Sequence, residues 1–176
     1  LALEGIQAAF FCVGVRVLER PDLARRIVAE GHLAENHTHR HAWWTNFLSP
    51  SSLLVEVGRA QDTIGLATGV SPRYFRPPVG LTNPAVFRVT DKLGLRCVGW
   101  DVRSFDRGAI STARVLRRVR RGLGEGSIIL LHDGGVDPSR LLTIVEEIIA
   151  FARGEGYRFV RLDELLGLKD PFIELP

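Results

Sequence analysis

The chain has 176 residues, 45% of them hydrophobic and 24% charged, enough for one domain with its own core. A formal net charge of +3 is too weak an excess to argue for a nucleic-acid partner, and two cysteines supply neither a disulfide scaffold nor a cysteine-based zinc motif. No apolar run approaches the roughly 18 residues that span a membrane, so no transmembrane segment is expected. No signal peptide is visible, but the chain starts at Leu1 and contains no methionine, which reads as a missing natural N-terminus and leaves the compartment open.

The first predicted element is a strand over AAFFCVG (Ala8 to Gly14), with Cys12 buried as a free thiol. PDLARRIVAEG (Pro21 to Gly31) opens with Pro and closes with Gly, as a helix does. HLAEN (His32 to Asn36) predicts the second strand, and a helix with Ser caps follows over Ser49 to Gly69. RYFRP (Arg73 to Pro77) is the third strand and Thr82 to Gly94 the next helix. LRCVGWDV (Leu95 to Val102) predicts a strand that buries Cys97. The helix over Ser111 to Gly124 interleaves Val115, Leu116, Val119 and Leu123 with arginines, which reads as an amphipathic helix with a solvated Arg face or, alternatively, a contact for an anionic polymer. SIILLH (Ser127 to His132), a helix over Ser139 to Gly156 and YRFVRL (Tyr157 to Leu162) complete the series.

Six strands alternating with helices predict one α/β domain over residues 1–176 with a parallel sheet, either a barrel or an open wound sheet. The chemically able residues cluster just after the strands. In a parallel α/β fold the C-terminal strand ends form one rim, so His37, His41, Arg76 and His132 are expected to line a common cleft.

Three of the five histidines fall within NHTHRH (Asn36 to His41). His37 and His41 are four apart, and on a helical turn both rings would face one side and could hold a divalent ion. By itself the pair reads equally as surface histidines, and His39, on another face, reads as a bystander. RPPVG (Arg76 to Gly80) is a rigid turn able to aim a backbone N–H at an oxyanion, or an ordinary loop. His132, at the end of a buried strand before a Gly-rich loop, suits a general acid or base, or a structural histidine. Trp43 and Trp44 suit either a sugar-stacking platform or loop packing.

Taken together, GHLAENHTHRH, RPPVG, GWDVRSFDR and IILLHDG resemble, in order, four of the five motifs of the polysaccharide deacetylases, the NodB-like carbohydrate esterases of family four. The closing helix and strand resemble the family too, and the likeness covers nearly the whole chain. It implies a distorted (β/α)7-type barrel of parallel strands, here with its first β/α unit missing or incomplete. The implied reaction is metal-dependent hydrolysis of N- or O-acetyl groups on a carbohydrate polymer or oligosaccharide. The resemblance assigns His37 and His41 to the metal, most simply Zn, with Co or Ni possible. Arg76 would orient the catalytic base, the N–H of Val79 would bind the oxyanion, and His132 would be the general acid. It alone suggests an extracytoplasmic or cell-envelope setting.

The departures are specific. The family's first motif, a TFDDG-type segment that supplies the base and a third metal ligand, should precede Gly5 and is absent, which implies impaired catalysis in these residues. Val79 replaces an aromatic. Arg103 stands where many members carry the Asp that tunes the acid histidine, leaving Asp101 or Asp106 to offset it, and Arg107 replaces a Trp. The alternative reading is a non-catalytic module that binds glycan or a partner on the same fold.

Overall fold

The structure is a computed structural model that describes residues 1–108 and 110–167. Its chain divides into two compact units, Leu1–Val98 together with the segment from Val160, and Gly99–Phe159.

In the first unit β1 (Ala9–Cys12) leads into α1 (Gly14–Glu19) and α2 (Pro21–Ala29), then β2 (Leu33–Asn36) and α3 (Pro50–Thr68). β3 (Tyr74–Phe75), α4 (Pro84–Lys92) and β4 (Arg96–Cys97) follow. The four strands form a parallel sheet in the order β1-β2-β3-β4. Cys12 pairs with Asn36, Asn36 with Phe75, and Phe75 with Cys97, so the strand ends make one row across the sheet. His37 and Arg76 each follow a member of that row. α3 serves two apolar clusters, giving Leu53 and Val57 to one with Phe75, Val86, Val89 and Leu95, and Ile64 to another with Val17, Ala24 and Ala34. Its start is fixed by Ser49, whose Oγ accepts the Ser52 N–H at 3.2 Å.

The second unit holds β5 (Val102–Arg103), α5 (Thr112–Gly122), β6 (Ile129–Leu130) and α6 (Pro138–Gly154). β5 and β6 pair in parallel, Val102 opposite Ile129. Val115 and Val119 turn inward from α5 onto Val102, Ile144 and Ile148, which leaves Arg114, Arg117, Arg120 and Arg121 exposed, as the periodicity predicts, and Arg118 half-buried. Beyond this unit the chain ends, among the described residues, in α7 (Leu162–Leu165).

The parallel α/β expectation is met, and all five expected helices form. Three details differ. LRCVGWDV breaks into β4 and β5, with irregular backbone across Val98–Asp101 around Gly99. YRFVRL forms no strand; Phe159 packs instead against the core of the second unit, and Arg161 pairs with Asp163 at 2.7 Å. The six-residue α1 is too short for a helical period to register in the sequence. Cys12 and Cys97 form no disulfide among the described residues, and both are half-buried rather than fully buried. Among the described residues no helix is long and apolar enough to cross a membrane.

Glu35 of β2 is almost fully buried, and its Oε2 accepts the N–H groups of Arg73 and Tyr74, both at 2.7 Å. Burial pushes its carboxyl up to about 7, against the pull of those two donors. A carboxyl raised in the folded state favours folding relative to its ionised form, so its contribution is complete below the unfolded value and is lost as pH rises toward 7. Glu35→Gln keeps an acceptor without a titrating proton. Urea unfolding of this variant should match the parent near pH 4 and exceed it near pH 8 by up to roughly 3 kcal/mol. A pH-independent difference would show that Glu35 does not titrate in this range.

Candidate functional site

The histidine loop is built on Asn36, which is wholly buried at the end of β2. Its Nδ2 donates to the Val57 carbonyl at 3.0 Å and to Gln61 Oε1 at 3.1 Å, fastening the strand end to α3. Its Oδ1 accepts the Thr38 N–H at 3.0 Å and turns the chain at once. Thr38, also wholly buried, accepts the His41 N–H on Oγ1 at 3.0 Å. The carbonyls of Thr38 and His39 take the N–H groups of Gly14 and Val15 at 3.0 and 2.8 Å, from the start of α1.

Residues 37–41 are therefore a loop and not the helical turn their spacing suggests; Thr38 and His41 both sit in the left-handed region, at φ 67° and 55°. The two outer rings meet all the same, with centroids 4.6 Å apart in an edge contact. His37 Nδ1 lies 2.6 Å from the Arg76 carbonyl. A carbonyl only accepts, so Nδ1 carries the proton and Nε2 keeps the lone pair a metal requires. His39 is different. Its Nδ1 is buried without a hydrogen-bond partner, and its ring lies against Gly14, where any Cβ would collide with it.

Arg76 is buried, with its guanidinium 3.9 Å from the centroid of the Phe11 ring and Nε donating to the Val98 carbonyl at 3.2 Å. Burial draws its pKa down to about 10, so it stays charged at neutral pH. Val79, in the same turn, has φ 61° and ψ −2°. A β-branched residue there is strained by about 1–3 kcal/mol. The turn is held from outside by Asn46 Nδ2, which donates to the Pro78 carbonyl at 3.2 Å, while Asn83 Nδ2 holds the Asn46 carbonyl at 2.7 Å.

The loop that carries Asn46 has an inverted pattern. Thr45 and Asn46 are 1% and 8% exposed, whereas Trp43, Trp44 and Phe47 are 68%, 51% and 77% exposed. Trp43 and Trp44 stand perpendicular with centroids 5.5 Å apart.

In the second unit His132 follows β6 and Asp106 lies just past β5. Asp106 is 1% exposed; its Oδ1 is 2.8 Å from His132 Nδ1, and its Oδ2 accepts the His132 backbone N–H at 2.7 Å. Ser104 Oγ lies 2.8 Å from Asp106 Oδ1 and 2.6 Å from the Leu130 carbonyl, its one proton serving either acceptor. Burial raises the Asp106 carboxyl, but the donors from His132 and Ser104 together outweigh burial and hold it below the usual carboxylate range. The carboxylate fixes the His132 tautomer with the proton on Nδ1 and leaves Nε2 open to proton exchange.

Asp106 is the site residue that the sequence underused. Arg103 does not meet His132's need for a carboxylate; its guanidinium stacks on Phe105, 4.4 Å from the ring centroid. Asp101 instead caps the start of the β6 segment through Ser127 Oγ and the Ile128 N–H. Arg107, in the place of the family's Trp, donates to the Gly134 carbonyl at 3.2 Å. The signal for Asp106 was available: an aspartate two residues after a serine, directly beyond a strand end. The second role of Arg76, its carbonyl on His37, left no trace in side-chain identity.

The family model for polysaccharide deacetylase matches residues 1–98. A peptidoglycan-N-acetylglucosamine deacetylase of Bacillus cereus is 32% identical over 93% of the chain and 76% of its own length. The chain belongs to the polysaccharide deacetylase family. Solved structures agree. A family 4 acetyl xylan esterase from Clostridium thermocellum, in complex with a cobalt ion, superposes with a TM-score of 0.84 at 30% identity, covering 98% of this chain and 85% of that one. A family 4 carbohydrate esterase pseudoenzyme from Bacillus anthracis gives 0.85 at 26% identity, over 93% of this chain and 56% of that one. Within this deacetylase family the chain keeps an α/β fold with parallel strands.

Two imidazoles in contact, one with its tautomer fixed by a carbonyl, fit two of the ligands a divalent transition ion takes. Among the described residues no group of three or more His, Cys, Asp or Glu is arranged to hold a metal.

Val79→Gly removes the side chain that makes this backbone strained. It should raise stability by about 1 kcal/mol, read as a higher urea midpoint with an unchanged slope. Lower stability would show that Val79's packing outweighs its strain. Asp106→Ala strands the buried His132 N–H and Ser104 and should cost about 3 kcal/mol or more in the same measurement.

Proposed function

We propose that this chain is a metal-dependent deacetylase of acetylated carbohydrate, with His37 and His41 as metal ligands and His132 as general acid. The family's hydrolytic chemistry on carbohydrate amides and esters supports the reaction class. The observation that carries the reading is the pairing of His132 with the buried Asp106 carboxylate. A glycan-binding module has no use for a histidine locked in one tautomer beside its counter-charge, whereas a proton donor to a leaving group needs both.

When bound between His37 and His41, a divalent ion such as zinc or cobalt would polarise the acetyl carbonyl and acidify water. His132, once it carries a second proton on Nε2, passes that proton to the departing amine or alcohol and returns to its neutral Nδ1–H form, and Asp106 holds the ring through Nδ1. The Val79 N–H donates to the oxyanion, from a backbone that is already in place and needs no reorganisation. Arg76 supplies a fixed positive charge and, through its carbonyl, the tautomer of His37. Trp43 and Trp44 are the proposed platform for sugar rings, since exposed indoles on a pinned loop offer flat apolar faces at low entropic cost. The proposed substrates are peptidoglycan-type N-acetylglucosamine and acetylated xylan, the sugars its relatives are named for.

A second reading is favoured by one observation: a solved relative of similar fold is a pseudoenzyme. On this reading the chain binds acetylated glycan without hydrolysing it.

Acetate release from N-acetylated chito-oligosaccharides and acetylated xylan, with Co2+ supplied, separates the two. Hydrolysis predicts metal-dependent release, lowered about 10²–10⁴-fold by His132→Ala. Residues acting in one reaction lose activity non-additively. Adding His37→Ala and His41→Ala to His132→Ala should therefore cost little more than the worse variant. Glycan binding with no release would support the pseudoenzyme reading, and cobalt binding unchanged by His37→Ala/His41→Ala would remove the pair from the site.

A further inference from the structure

Positive charge is gathered most densely on α5, where five of eleven residues are arginines and none is a carboxylate. Val115 and Val119 are wholly buried, and they fix how the helix is turned. At about 100° per residue, Arg114, Arg117 and Arg121 then fall within an arc of about 60° on the opposite side, along about 10 Å of the axis. All three are exposed. Their guanidiniums form no ion pair among the described residues. Arg120, on the flank, pairs with Glu147 at 3.4 Å, and Arg118 is half-buried.

Like charges one turn apart destabilise a helix, and no carboxylate among the described residues offsets Arg114 against Arg117, or Arg117 against Arg121. A polyanion laid along the stripe would. Three features select among polyanions. The arc carries no apolar side chain to enter a lipid surface. It carries no aromatic ring on which nucleic-acid bases could stack, and the nearby Phe105 already has two guanidiniums over it, at 4.4 and 4.8 Å. The charges repeat near the helical pitch of about 5.4 Å, close to the roughly 6–7 Å between phosphates in a chain of three-carbon polyols joined by phosphodiesters. Each guanidinium fork matches the two non-bridging oxygens of one phosphate. A backbone without rings also flexes until successive phosphates meet successive turns.

We infer that the Arg114, Arg117 and Arg121 face of α5 is a docking surface for a polyol phosphodiester polymer. The inference goes beyond the carbohydrate reading above and does not depend on it, since this face shares no residue with the histidine loop or with the Asp106–His132 pair.

Fluorescence anisotropy of end-labelled oligo(glycerol phosphate) with the whole chain tests it. Log affinity against log salt should have a slope near −2, from about 0.7 for each phosphate neutralised by the three arginines. Arg114→Gln/Arg117→Gln/Arg121→Gln should weaken binding about ten-fold or more at roughly 50 mM salt and flatten that slope. Arg25→Gln/Arg59→Gln/Arg88→Gln removes the same charge from exposed positions in the first unit and should bind as the parent does. In 15N-correlated NMR spectra of the parent, the polymer should shift the amides of α5, a readout that needs no variant. Absence of binding by the parent, equal losses in the two triple variants, or shifts confined to other residues would each overturn the surface. So would tighter binding of an oligothymidylate of equal phosphate count, a polyuronate of equal charge or phosphatidylglycerol vesicles, since each would give the face to another class of partner.

Discussion

The histidine loop hangs from one amide side chain. Asn36 sits in the middle of the row of strand ends, is wholly buried, and spends both ends of its amide on partners that belong to different parts of the unit. One end grips α3 and the other bends the chain into the loop. A buried amide left unsatisfied costs far more than a satisfied one returns, so this geometry tolerates few alternatives. Everything downstream, the seat of Thr38, the turn at His41 and the approach of His37 to the Arg76 carbonyl, follows from where that bend is made.

The chemistry of the chain lies in tautomers. His37 and His132 belong to different units, yet each has Nδ1 committed to an oxygen, a backbone carbonyl in one case and a carboxylate in the other. The two oxygens differ in charge. A neutral carbonyl offers its ring no counter-charge, whereas a carboxylate can balance a ring that takes up a second proton. The same segments concentrate backbone strain. Among the described residues the non-glycine positions with positive φ are Thr38, His41, Val79 and Phe105, all in the motif segments and none in the cores. Strain of this kind persists only where surrounding bonds over-determine it, and Asn36, Asn46 and Asp106 do that here.

Much of this could be read in the sequence because helices announce themselves by period and cap. The stretches around Leu53, Val86, Val115 and Ile144 show the inward stripe directly. Strands of two residues do not, which is why LRCVGWDV read as one element and YRFVRL as a strand it does not form. That His37, His41, Arg76 and His132 come after strands was legible. Their conformations were not. The spacing of His37 and His41 suggested a helical turn, and only the tertiary bonds of Asn36 and Thr38 show why a left-handed loop brings the rings together instead. Backbone roles, such as the Arg76 carbonyl, have no side-chain signature to find.

The middle histidine adds a constraint of another kind. His39 binds nothing through Nδ1, and its ring fills the space left by the missing side chain of Gly14, at the foot of a helix from a distant part of the chain. It works as a wedge. The histidine hexapeptide is thus not a portable cassette: moved into another scaffold with its spacing intact, it would lack the hollow that receives the wedge and the helix that anchors the Asn36 amide. The smallest transferable unit is the pair of neighbouring strands with the mouth of α1 between them and the stretch of α3 that Asn36 grips, and homology judged on the histidines alone would overestimate how often that unit is present.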